Sequence, residues 1–237
     1  MIVKKLKTRR RYRGGQKRYG RQKKTFNMKT KISLDQITDE WVLGEIKKIR
    51  YTYGLNSVIR YNLKRLEEFE TQSVAEHVYN MLILAHYFRD LEDPEHKMDM
   101  GKITKMILMH DMGEIETGDI IMGSKDKSAE ELESLSINTV AINSPEFIKN
   151  EIRELFEEFE NPTTLEGKFV KAIDKIEAPI WFINLPTHNM IKNATTVERR
   201  ESNERKRREL YPILGFKIIE KFAIILDEHG RRNGLYQ

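Results

Sequence analysis

The sequence predicts an all-α domain preceded by a flexible basic arm. From residue 33 onward apolar residues recur at i, i+4, i+7 and i+8, the spacing of a helix face. No stretch sustains the period-two alternation of β-branched residues that a sheet requires. Residues 1–27 hold 12 of the 42 Lys and Arg, none of the 37 acidic residues and almost no aliphatic ones. Such a segment cannot bury enough surface to fold alone. The expected organisation is therefore an arm over 1–27 and one helical domain over 28–237. Met28 opens "MKTKISLDQITDEW", which reads as a natural start.

At 237 residues, 39% hydrophobic and 33% charged, the chain is long enough for one substantial core. It has no cysteine, which excludes a disulfide framework, a zinc ribbon and a thiol nucleophile. No apolar run approaches the roughly 18 residues that span a bilayer, and no apolar core follows the basic N-terminus as a signal peptide would require. A cytoplasmic protein with no membrane contact is the expectation. The net charge of +5 belongs to the arm: residues 28–237 carry 30 basic and 37 acidic residues, a net −7. With Tyr12, Tyr19 and Phe26 among its cations, the arm offers a weak nucleic-acid contact. A solvated tail and an upstream extension are the alternatives.

The helices follow in order. Ser33 stands where an N-cap belongs for "LDQITDEWVLGEIKKIRYTY", which ends near Gly54. "LNSVIRYNLKRLEEF" reads as a second helix. "SVAEH" offers a capping box, Ser73 at N-cap with Glu76 three residues on. Helices also fit 101–114, 128–143, 145–159 (Ser144 as cap, Pro145 at the first position) and 164–183. The run "VERRESNERKRRELY" alternates charge and reads as a solvated helix with i,i+4 pairs. The amphipathic "LGFKIIEKFAIILDEHG" closes the domain.

Three of these apolar faces are interrupted. Val74, Val78, Met81, Leu82 and Ala85 form one stripe, and His77 lies inside it. Ile103, Met106 and Ile107 lead to His110, with Asp111 beside it and Glu114 one turn on. Val170 and Ile173 run into Asp174, and the same face continues to Glu177 and Trp181. Taken singly, His77 has an ordinary reading as a hydrogen-bonded core histidine, and Asp174 as a partner of Lys171 or Lys175. Taken together, two His and two Asp on buried faces compensate one another by sharing a divalent cation, because an unpaired buried carboxylate costs several kcal/mol. Imidazole nitrogen and carboxylate oxygen suit Zn²⁺, Mn²⁺, Co²⁺ or Fe²⁺. Adjacent His110 and Asp111 reach one ion only where the helix deforms or sits close to the metal, and Met112-Gly113 offers that freedom.

"SVAEHVYNM", "MHDMGEIETGD" and "VKAIDKIEA" in that order resemble the H…HD…D pattern of the HD-domain phosphohydrolases. Within that superfamily the extended "HDMGEIETGD" is most similar to the bacterial 5′-deoxynucleotidase branch. The resemblance covers roughly residues 50 to 185. It implies a single HD-domain helical bundle and one divalent transition metal (Mn, Co, Zn or Fe) held by His77, His110, Asp111 and Asp174. It implies that Glu114 takes part in proton transfer or orients the attacking water and that Asp119 faces the nucleotide near the scissile phosphate. It also implies an arginine followed by an aromatic for the substrate phosphate, here Arg60 with Tyr61, with Arg65 as a second candidate. The activity implied is release of phosphate from (deoxy)nucleoside 5′-monophosphates, by a homodimer. A triphosphohydrolase acting on dNTPs, or a nucleic-acid-associated protein with a regulatory HD core, are the alternatives. His86, His96, His188 and His229 carry no motif and read as structural or exposed.

Overall fold

Thr38, Ser73, Asp99 and Thr164, short polar side chains, set four of the helix starts among the described residues. The computed structural model describes residues 34–60, 71–119, 127–183 and 197–233. The arm over 1–27, Met28, Ser33, Tyr61, Arg65 and His188 lie outside the described residues. The chain divides into two units, Met1–Gln36 and Ile37–Gln237. Of the first, the short 3-10 turn Leu34–Gln36 is described.

In the second unit, α1 (Asp39–Thr52) is capped by Thr38, whose hydroxyl accepts from the Trp41 amide at 3.2 Å. The helix thus begins at Thr38 rather than at Ser33. Of the further helix expected over 55–69, the described residues 55–60 are not α-helical: Tyr53–Asn56 is 3-10, and Ile59 pairs with Ser73 in an isolated antiparallel bridge, while 61–69 lie outside the described residues. The bridge bonds, Arg60 N to Gln72 O and Val74 N to Val58 O, both 2.9 Å, place Arg60 at the start of the next helix. Gly54 is needed here, because a Cβ would sit 2.9 Å from the Ile115 side chain.

The capping box forms as expected. Ser73 N donates to Glu76 at 2.6 Å and Glu76 N donates to Ser73 Oγ at 3.2 Å, starting α2 (Val74–Glu92). Asp99 caps α3 (Met100–Met109) by accepting from Gly101 N and Lys102 N. After a turn comes the short α4 (Glu114–Thr117), ended by Gly118 at φ +70°. Next are α5 (Lys127–Asn143) and α6 (Lys149–Glu160). The cap expected at Ser144 is absent: its hydroxyl donates back to Val140 O at 2.7 Å, and Pro145 opens a turn instead of α6. Thr164 caps α7 (Leu165–Phe182). Two further helices, α8 (Val197–Leu214) and α9 (Lys217–Arg232), are joined through Gly215 at φ +88°. The free amides at the start of α9 are satisfied from a distance by Glu92 of α2, which accepts from Ile218 N at 2.7 Å and Ile219 N at 2.8 Å.

The main core packs α2, α3, α6, α7, α8 and α9 through Met81, Phe88, Ile107, Phe169, Ile173 and Ile219, all fully buried. A second core gathers Leu55, Val74, Met112, Val140 and Ile152. The charged α8 is more than a solvated face. Glu204 is buried between Arg208 of its own helix and Arg231 of α9, and Arg207 pairs with Asp227 of α9 at 2.7 Å. No helix among the described residues is long and apolar enough to cross a membrane.

Candidate metal centre

The polar interruptions meet where α2, α7 and the end of α3 converge. His77 sits in the first turn of α2 and is fully buried. α3 ends at Met109: His110, whose N–H still donates to Met106 O at 2.9 Å, is the C-cap, and 111–113 turn. That break matters, because neighbours on a continuous helix point about 100° apart. Here His110 Nε2 lies 3.1 Å from Asp111 Oδ2. His77 Nε2 is 3.8 Å from the same Asp111 oxygen and 3.4 Å from Asp174 Oδ1. One ligand atom each from His77, His110 and Asp111 lies within 4.8 Å of the others, so this cluster could hold a metal ion. Asp174 adjoins the triad rather than completing it. Its Oδ1 approaches His77, while its Oδ2 accepts from Lys175 Nζ at 2.6 Å, which is the ordinary pairing its sequence neighbours suggested.

The opposite edges of both imidazoles are already engaged. His110 Nδ1 lies 2.8 Å from the Ile107 carbonyl, an acceptor, and so carries its proton there. His77 Nδ1 is 2.7 Å from Glu177 Oε2 and 2.8 Å from Arg60 NH1. Glu177 also accepts from Arg60 NH1 at 2.9 Å, Gln72 Nε2 at 2.6 Å and Asn80 Nδ2 at 2.9 Å, while Arg60 NH1 reaches Gln72 Oε1 at 3.1 Å. A consistent assignment uses each hydrogen once: Arg60 NH1 donates to Gln72 and Glu177, and His77 Nδ1 donates to Glu177.

Both Nε2 atoms then carry lone pairs, both are buried, and neither has a hydrogen-bond partner among the described residues. Each faces a carboxylate, which is acceptor against acceptor. Leaving such groups unsatisfied costs about 1–3 kcal/mol apiece. A cation among them turns the same arrangement favourable. A histidine whose other N–H is fixed by a carboxylate or a backbone carbonyl is also the usual form of a metal ligand. The donor set therefore fits a divalent ion.

Burial and Arg60 push the His77 pKa down, but Asp174 and Glu177 outweigh them and hold it above 6.5. Burial raises the Asp111 carboxyl, yet His110 and then His77 hold it well below the usual range. Burial likewise opposes Asp174, which Lys175 and His77 bring down, and Glu177, which His77, Arg60 and Asn80 bring down.

The remaining candidates are placed as follows. Glu114 is buried at the first position of α4, directly after the turn bearing His110 and Asp111. Asp119 is half-buried just past α4. Arg60 NH1 stands on the Nδ1 side of His77, and Tyr61 is outside the described residues. His86, His96 and His229 are exposed. Sequence reasoning gave no role to Glu177, although it follows Asp174 by three positions on the same buried face; a second carboxylate there was the available signal. Gln72 and Asn80 carried no signal.

The HD domain family matches residues 54–214, more than half of the chain. The chain belongs to the HD-domain family. A relative, 5′-deoxynucleotidase HDDC2 of Homo sapiens, is 29% identical over 140 residues, 57% of this chain and 61% of that protein. 5′-deoxynucleotidase YBR242W of Saccharomyces cerevisiae is 26% identical over 179 residues, 65% of this chain and 73% of that protein. The chain thus spans about six-tenths of the length of the human relative. Two solved structures share the HD fold. A predicted metal-dependent phosphohydrolase from Magnetospirillum magnetotacticum MS-1 superposes with TM-score 0.64 at 20% identity, covering 81% of this chain and 96% of its own. An HD-domain phosphohydrolase from Listeria innocua gives TM-score 0.59 at 20% identity, covering 79% and 90%.

Proposed function

We propose that this HD-domain chain is a metal-dependent phosphomonoesterase releasing phosphate from (deoxy)nucleoside 5′-monophosphates. The observation that carries the reading is the pair of buried Nε2 atoms of His77 and His110, which face Asp111 and Asp174 and have no hydrogen-bond partner among the described residues. The 5′-deoxynucleotidase relatives support the substrate class.

His77, His110, Asp111 and Asp174 hold one divalent transition ion. Bound there, it supplies Lewis-acid stabilisation of phosphoryl charge and makes water acidic enough to act near neutral pH, about pKa 7. Glu177 fixes the His77 ring so that Nε2 points inward, and Arg60, Gln72 and Asn80 in turn fix Glu177. Glu114 takes the proton of the attacking water, a role its place beside the ligand turn supports. Asp119 stands toward the nucleotide, while Arg60 acts through Glu177 on the Nδ1 side of His77. The products are a nucleoside and orthophosphate.

The test is a nucleotide panel assayed with Mn²⁺, Co²⁺, Zn²⁺ and Mg²⁺, with products identified. Orthophosphate from dAMP or dCMP is expected. Triphosphate released from dNTPs, with monophosphates untouched, would replace this reading by a triphosphohydrolase.

A further inference from the structure

An acidic body that accepts an anionic substrate needs a local cation at the reacting phosphate, since residues 28–237 carry a net −7. Arg60 offers its NH1 to Gln72 and Glu177, on the side of His77 turned away from Nε2. Lys171 is held by Glu160 at 3.0 Å and lies over the Phe159 ring at 3.9 Å. Lys175 is different. Its ammonium touches Asp174 Oδ2 at 2.6 Å, so it stands one carboxylate away from His77 Nε2. Asp174 is its one bonding partner among the described residues, and its side chain is 19% exposed. An ammonium carries three donor hydrogens. One satisfies Asp174, and no other acceptor among the described residues takes the remaining two.

We propose that Lys175 holds the phosphate of the substrate at the His77–His110–Asp111 cluster, an inference that rests on the proposed phosphomonoesterase function. The same contact that steadies Asp174 presents the cation. A compact point charge on a flexible stem suits a phosphate that turns over, and it leaves the ion ligands undisturbed. A purely structural Lys175 would support Asp174 and do nothing else.

The two roles separate in Lys175→Met, with Lys175→Gln as a second variant should the first fail to fold. Three quantities are measured on each: Mn²⁺ affinity of the metal-free protein by calorimetry, KM for dAMP, and the inhibition constant of inorganic phosphate. The inference expects Mn²⁺ affinity within about threefold of wild type. KM and the phosphate inhibition constant should both rise about 10- to 100-fold, the size of a hydrogen bond between charged groups. Unchanged KM and phosphate inhibition would overturn the inference. So would a loss of Mn²⁺ affinity large enough to account for the whole defect, since Lys175 would then act on Asp174 alone. A wild-type protein that turns over dAMP while the variants match it sinks this inference only. A wild-type protein that releases no phosphate from any monophosphate sinks the function and the inference together.

Discussion

Replacing Glu177 by Gln tests the logic of the centre without touching an ion ligand. The carboxylate accepts from four donors: Arg60 and His77 at Oε2, Gln72 and Asn80 at Oε1. An amide keeps the shape but offers one acceptor oxygen, so either rotamer sets an NH₂ against two of those donors. Two unsatisfied buried donors at about 1–3 kcal/mol each give a destabilisation of about 2–6 kcal/mol. For a chain of this size, about 2–4 °C per kcal/mol places the Tm loss of the metal-free protein between roughly 4 and 24 °C. The effect on the ion is separate. With NH₂ facing His77, Nδ1 must accept, the ring proton moves to Nε2, and the inward lone pair is lost. A disturbed outer partner of a ligating histidine typically costs about 10- to 100-fold in metal affinity. Calorimetric titration with Mn²⁺ at a temperature where Glu177→Gln is folded reads this directly. Wild-type Mn²⁺ affinity together with an unchanged Tm would refute the hydrogen-bond assignment on which the centre is built, because neither amide rotamer satisfies all four donors.

Other outcomes follow from the same geometry. His110→Ala and Asp174→Ala should each abolish phosphate release while leaving the helical circular dichroism spectrum largely intact; activity retained in both rules out the metal mechanism. Because the metal-free His77 pKa lies above 6.5, an entering ion displaces a proton. Mn²⁺ affinity should therefore fall as pH is lowered from 8 to 6, and a pH-independent affinity would contradict it. The sign for folding is opposite. A raised histidine pKa contributes stability to the metal-free protein that is fully present below about 6.5 and lost as pH rises through the folded value. Asp227→Asn leaves Arg207 facing a lost charge in a buried pair, so urea unfolding should show a loss of about 3–5 kcal/mol. Glu92→Ala removes the remote cap of α9 and should cost about 0.5–2 kcal/mol by the same measurement, with Mn²⁺ affinity unchanged.

The helical architecture was legible because burial follows the apolar stripe: Val74, Val78, Met81 and Ala85 are buried, as are Ile103, Met106 and Ile107. The centre was legible for the complementary reason, since His77, His110 and Asp174 occupy positions on those stripes that ought to be apolar. What escaped depends on contacts between distant segments. Residues 55–60, the described part of a segment with helical patterning, are held instead by the pairing of Ile59 with Ser73. Ser144 looks like a cap, yet its hydroxyl finds the Val140 carbonyl of the preceding helix first. The alternating charges of α8 look solvated until α9 brings Asp227 and Arg231 against them. Glu177 was visible as a residue on the right face and invisible as a partner, because its donors come from Arg60, Gln72, His77 and Asn80, roughly a hundred residues away in sequence.

The most direct measurement is an anomalous difference map from crystals soaked in manganese. One peak should appear within coordination distance, about 2.0–2.2 Å, of His77 Nε2, His110 Nε2 and an Asp111 oxygen, with Asp174 turned toward it. A map with no peak there, or with the two imidazoles bonded to protein through Nε2, would contradict a metal centre in this protein.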